Sequence, residues 1–289
     1  MTMSEPTNMS DLTSTATSAH RRHGSGDRLL GVLALFTADI PQWTVEAAAE
    51  VLGVSVPTTY RYFKKLTKAG LISPVSGAGY TLGPAIIQMD RQIQISDPIL
   101  NAARTVMIAL AGDAPEGSTA LLCRLFHDRV MCVQQIMGRG PQMPVSYERG
   151  RLMPLYRGAT SKIILAHLQT RTLKALFARD AAEIEQGGLG ADWEEFRYRL
   201  AAIRRTGISL SYSEIDPGRV GVAAPVFDKE RVVLGSLSVV VPAELADPDT
   251  VERLTALTAK GAREIERTMN RGPAASRPTP PRVKIARPG

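Results

Sequence analysis

Between Val56 and Lys68 the chain carries Arg61, Lys64, Lys65 and Lys68 and no acidic residue. At helical spacing Thr59, Phe63 and Leu66 fall on one face, and the four cations take the remainder. A guanidinium offers two parallel donors that match guanine O6 and N7, whereas an ammonium suits phosphate oxygens. Arg61 is therefore the candidate base reader, with Lys64 and Lys65 on phosphate. Tyr60 shares their face, and Ser55, Val56, Pro57 and Thr58 form the leading tip. A basic face is also what a solvated surface helix shows, so its neighbours must decide.

Those neighbours build a winged helix-turn-helix. Thr44 is placed to cap a short helix whose Ala47, Ala48, Val51 and Leu52 repeat at helical spacing. Gly53 supplies a tight turn, Ser55 a cap and Pro57 a first-turn proline, and Gly70 stands just past the helix end. Leu71-Ile72-Ser73 and Tyr80-Thr81-Leu82 then alternate as two strands around Ser76-Gly77-Ala78-Gly79, with Gly77 at the backbone-contacting tip. This arrangement places the second helix for a DNA major groove. Upstream, the apolar run after Arg28 completes the core, Ala38 to Pro41 breaks it, and Trp43 is expected at the foot of the wing.

The 289 residues allow two domains, each with its own core. Aromatics make up only 5%, which argues against an aromatic RNA-stacking platform. No apolar run approaches the roughly 18 residues of a membrane span, and the amino terminus lacks a secretory h-region. The expectation is a cytoplasmic protein with no membrane partner, whose two cysteines, Cys123 and Cys132, are reduced core thiols. The net charge of +7 is not spread evenly: residues 270–289 hold 5 basic and no acidic residues, against 22 and 21 in 97–269. The local charge of the second helix is thus the better sign of nucleic-acid binding. No nucleophile elbow, zinc motif, phosphate loop or dinucleotide fingerprint occurs, so neither catalytic residue, metal nor cofactor is expected. His127 reads as a turn residue and His167 as a helix-surface residue.

Residues 1–24 form a polar leader in which His20 to His23 could touch DNA phosphates, 25–83 the DNA-binding domain and 84–97 a linker helix. Residues 98–270 form a second domain and 271–289 a Pro- and Arg-rich tail. In the second domain, Ser118–Phe126 with Val130–Ile136, and Val222–Phe227 with Val233–Val241, read as two antiparallel hairpins. Helices are expected over Ile99–Leu110, Lys162–Gln169, Leu173–Phe177, Trp193–Arg205 and Val251–Met269. The pattern is α+β, a curved antiparallel sheet flanked by helices. Ala159-Thr160-Ser161 precede the helix at Lys162, where amides suit a carboxylate. Arg157 and Arg219 are either carboxylate partners or solvated arginines. Glu214 is expected to brace its own loop.

From Arg28 to Met269 the chain resembles the IclR family of transcriptional regulators. Leu52-Gly53-Val54 and the Tyr80-Thr81-Leu82-Gly83 wing exit are similar to the family pattern. So is Gly207…Ser211-x-x-Glu214 followed after six residues by Gly221-Val222-Ala223-x-x-Val226-Phe227-Asp228. Gly221 departs from it where the family prefers Cys, Ser or Ala. The resemblance implies a homodimer or homotetramer on a pseudo-palindromic operator in double-stranded DNA. It also implies a GAF-like effector domain that binds a small organic acid. Carried over by position, effector contacts fall on Met153, Ala159, Thr160, Ser211, Gly221, Ser238 and Val240, with Arg219 flanking. Gly221 and Val240 would leave extra room, favouring a bulkier, partly aromatic acid and hence a catabolic operon, with repression preferred to activation. The rival reading is an architectural DNA-binding protein without an effector.

Overall fold

The computed structural model describes residues 24–77, 79–141 and 145–271. The leader arm at His20 to His23, Ala78 of the wing and the tail beyond Arg271 lie outside them. The chain divides into two compact units between Ile95 and Ser96.

The first unit contains α1 (Ser25–Ala34), α2 (Val45–Leu52), α3 (Val56–Lys68), the hairpin β1 (Ile72–Val75) with β2 (Gly79–Leu82), and most of α4 (Pro84–Ser96). Thr44 caps α2 by accepting from the Ala47 amide at 3.2 Å, and Gly53 ends it in the left-handed region at φ 61°. Ser55 starts α3 through its carbonyl alone. Its hydroxyl turns to Thr58 Oγ1 at 3.0 Å, so the expected side-chain cap is not made. Thr59, Tyr62, Phe63 and Leu66 of α3 are buried against Val32, Val45, Ala48 and Ile72, with the Phe63 and Tyr80 rings edge to face at 4.9 Å. Trp43 exchanges backbone bonds with Tyr80 and donates its indole N–H to Leu35 O at 2.8 Å. It therefore ties the chain to the foot of the wing through a single-residue bridge.

The second unit opens with α5 (Pro98–Asp113), capped by Asp97. Strands β3 (Thr119–Phe126), β4 (Arg129–Met137) and β5 (Leu152–Met153) are followed by α6 (Ala159–Ala166), α7 (Thr170–Gln186) and α8 (Trp193–Thr206). β6 (Ser209–Tyr212), β7 (Arg219–Phe227), β8 (Val233–Pro242) and the long α9 (Pro248–Asn270) complete it. One antiparallel six-stranded sheet runs β5-β4-β3-β8-β7-β6. Register shifts at Leu122/Cys123 and Val226/Phe227 bend their strands and curve the sheet.

Side chains alternate across a strand, and β7 and β8 are buried on both faces. Val220, Val222, Ala224 and Val226 with Leu237, Val239 and Val241 pack under α5 and α9. Ala223 and Val240 join the core under α6, α7 and α8. Cys123 and Cys132 face each other across β3 and β4 as buried free thiols, and burial pushes the Cys123 thiol up. Two helices differ from their sequence expectation. α7 runs nine residues beyond Phe177 except for a non-helical Asp180, because no glycine or proline interrupts it before Gly187. α6 begins at Ala159, so Ala159-Thr160-Ser161 are its first turn rather than its approach.

His167 also differs. It is the half-buried C-cap of α6, with its ring edge to face on Phe227 at 4.8 Å. Burial, then Arg204 and Arg231, lower its pKa to about 4. The unfolded chain takes a proton that the folded chain refuses, so stability is complete above the ordinary histidine value. It should fall as pH drops from about 6.5 toward about 4, and His167→Gln should flatten that part of a melting-temperature profile. In the first unit, Phe63→Ala should cost about 3–5 kcal/mol and lower the urea midpoint of that unit's transition alone.

Candidate functional site

The first unit presents the outward face of α3. Tyr60, Arg61, Lys64, Lys65 and Lys68 are exposed, as are Ser55, Val56 and Pro57 at its start, while Thr58 is half-buried. A groove of about 930 Å³ runs between α3, the start of α2 and the wing. Val56, Pro57, Tyr60 and Arg61 form one wall, and Pro74, Val75 and Tyr80 another. Arg61 Nη2 rests on Thr58 Oγ1 at 3.4 Å, a weak exposed contact that leaves the guanidinium available. Neither Lys64 nor Lys65 lines the groove; both are exposed on α3. Gly77 holds φ 83° at the wing tip with open space around it, so the backbone there is accessible.

The second unit gathers the other set. Strand alternation puts Arg219 and Gly221 of β7, Ser236, Ser238 and Val240 of β8 and Ser211 of β6 on the α6 side of the sheet. Ala159, Thr160, Ser211, Arg219, Gly221 and Val240 line a single cavity of about 20 Å³. Two of the carried-over positions do not. Met153 is a buried β5 residue packed into the core, paired with Val130. Ser238 spends its hydroxyl on Thr160 Oγ1 at 2.8 Å, and Ser236 donates to Thr160 O at 3.2 Å.

Gly221 does not provide room. A Cβ there would stand 2.8 Å from Ser211 Oγ and 3.4 Å from Ala159 Cβ, so the glycine lets β7, β6 and α6 approach closely. The expectation of a spacious pocket is corrected accordingly: about 20 Å³ accommodates roughly one water.

The wall that sequence reasoning missed comes from two irregular segments. The loop after β6 supplies Glu214, Ile215 and Asp216, and the segment before β5 supplies Tyr147. Tyr147 OH meets Ser161 Oγ at 3.0 Å, and burial holds this phenol protonated well above its ordinary range. Asp216 accepts from the Ser146 amide and hydroxyl. Glu214 Oε2 accepts from Gly158 N at 2.9 Å and from buried Lys162 Nζ at 2.7 Å, while Arg157 donates to the Glu214 carbonyl. Glu214 thus braces its loop through the backbone N–H of Gly158, as expected, and through the Lys162 ammonium as well. Tyr147 sits in a stretch without periodicity, and nothing marked it.

The amides of Ala159, Thr160 and Ser161 receive no acceptor from the described residues. Arg219, expected as a carboxylate partner or a solvated arginine, is 7% exposed and is not the latter. Nη1 donates to Gly117 O at 3.1 Å and Nη2 has no partner. Among the described residues, no cluster of three or more His, Cys, Asp or Glu could hold a metal, and no helix is long and apolar enough to cross a membrane.

Two family profiles cover most of the chain: the bacterial transcriptional regulator IclR C-terminal domain over residues 94–267, and the IclR helix-turn-helix domain over 25–76. The HTH-type transcriptional regulator KipR of Bacillus subtilis is 26% identical over 221 residues, spanning 76% of this chain and 86% of that protein. An IclR transcriptional regulator of Alicyclobacillus acidocaldarius superposes with a TM-score of 0.71 at 24% identity, over 86% of this chain and all of that one. An IclR homologue of Microbacterium hydrocarbonoxydans, solved with 4-hydroxybenzoate, gives 0.67 at 17% identity over the same shares. Both superpositions show the same fold. The chain belongs to the IclR family of bacterial transcriptional regulators, with a helix-turn-helix unit followed by an effector-binding unit.

Proposed function

We propose that this regulator binds a pseudo-palindromic operator as a dimer or tetramer in the cytoplasm, and that a small organic acid seated at the first turn of α6 controls the binding. The observation that carries the reading is the outward face of α3. That helix carries four cations and no carboxylate of its own, and it borders a groove walled by the wing and, at the start of α2, by Glu46. Arg61 reads a base edge, Lys64 and Lys65 hold phosphates, and Tyr60, the Ser55–Thr58 tip and Gly77 complete the contact. Self-association is supported by α4, none of whose residues is buried and whose Ile87, Met89, Ile93 and Ile95 are more than half exposed. A second copy would cover them.

An organic acid suits the effector site because three open amides at a helix N-terminus attract negative charge. The 4-hydroxybenzoate held by the Microbacterium homologue makes aromatic carboxylates, and thus a catabolic operon under repression, the first class to test. With about 20 Å³ available, an acid enters only if the loop carrying Glu214 to Asp216 moves outward. That movement is the conformational change the effector would select. An architectural DNA binder would need no such site.

Arg61→Ala should weaken operator binding by about 1–3 kcal/mol and relax base preference, read by fluorescence anisotropy against matched and scrambled duplexes. Unchanged affinity would misplace α3. Gly221→Leu, whose Cβ alone would stand 2.8 Å from Ser211 Oγ, should displace the cavity wall and abolish the acid's effect on DNA binding while leaving the DNA contacts of the first unit intact. A normal ligand response in that variant would move the effector elsewhere.

A further inference from the structure

We propose that Arg219 is the residue that selects an anion in this site: its free Nη2 pairs the effector's acid group at the open end of α6, so the neutral form of the same molecule is rejected. The inference rests on the effector reading above and adds the residue that enforces charge.

Arg219 is more than nine-tenths buried at the first position of β7, paired with Pro242, and a buried guanidinium is costly without a counter-charge. It has none: among the described residues no carboxylate comes within ion-pair distance. The two nearest in the chain are committed elsewhere, Asp216 to Ser146 and Glu214 to Lys162 and Gly158 N. Nη1 is spent on Gly117 O, and Nη2 has no partner. The residue borders the same cavity as Ala159 and Thr160, whose amides are also open. An unpaired buried cation and unsatisfied helix N–H groups sharing one cavity form an incomplete anion site. A carboxylate there satisfies both; a primary amide supplies one oxygen, no charge, and two hydrogens that face donors.

The test is calorimetry and thermal shift on the full chain with acetate, pyruvate, succinate, benzoate and 4-hydroxybenzoate, each beside its primary amide. At least one acid should bind wild-type protein and raise its melting temperature, and the matching amide should not. Arg219→Gln should weaken that acid by about ten- to hundredfold, and Arg219→Lys should recover part of the loss. If Arg219→Gln fails to fold, acid-against-amide discrimination in wild type and in Arg219→Lys decides the matter. Equal binding of acid and amide, an unchanged constant in Arg219→Gln, or no response to any acid would overturn the proposal. Gly221→Leu separates the two ideas. If it abolishes acid binding that Arg219→Gln leaves intact, the site stands and the role of Arg219 falls. If neither variant matters, the site itself is misplaced.

Discussion

The first turn of a helix carries amides that the helix cannot satisfy, and in α6 that turn is buried. Everything around it is arranged by this deficit. Glu214 answers part of it by accepting from Gly158 N, and it is itself held by Lys162 one turn further along the same helix. Ala159 and Thr160, whose amides are left open, line a space bordered by Ser211, Gly221 and Arg219. The loop from Ser213 to Gly218 turns at two positive-φ corners, Ser213 at 54° and Gly218 at 69°, and is tied down by Asp216 to Ser146, by Glu214 to Lys162 and Gly158 N, and by the Gly218 carbonyl, which accepts from Ala243 N.

A second constraint makes the site possible. Because β7 and β8 alternate, one face of each strand is free to be purely aliphatic under α5 and α9, while the other carries small or polar residues under α6. Gly221 and Ser211 let α6 come down onto the sheet, and the Thr160–Ser238 and Thr160–Ser236 bonds fasten it there. Large side chains at those positions would push α6 away and remove the cavity wall. In the first unit the division of labour is the same on a smaller scale. Phe63 and Tyr62 anchor α3 to its core so that Arg61 and the lysines stand outward.

Much of this was legible in the sequence, for identifiable reasons. The helix-turn-helix rests on local signals, namely Thr44, Gly53, Pro57 and Gly70, and each acts within a turn of its own position. The hairpins of the second unit followed from alternation. Three things were not legible. The start of α6 at Ala159 was hidden because Gly158 gives no side-chain cap. The fates of Met153 and Ser238 depend on which neighbour each meets across the sheet, a long-range fact that spacing does not encode. Gly221 read as added room when its role is close approach, since a missing Cβ signals either until the opposing atoms are known.

The central claim, that a basic helix held by its own small core reads duplex DNA under the control of an acid site in the second unit, is tested most directly by one titration. Purified chain is added to labelled duplexes from its own upstream region, and to unrelated duplexes, at moderate ionic strength with and without the acid that raises its melting temperature. The account predicts tight binding to a promoter fragment, weak binding to the unrelated ones, and a clear shift in the promoter constant when the acid is present. Equal affinity for all duplexes, or a promoter constant indifferent to the acid, would contradict it.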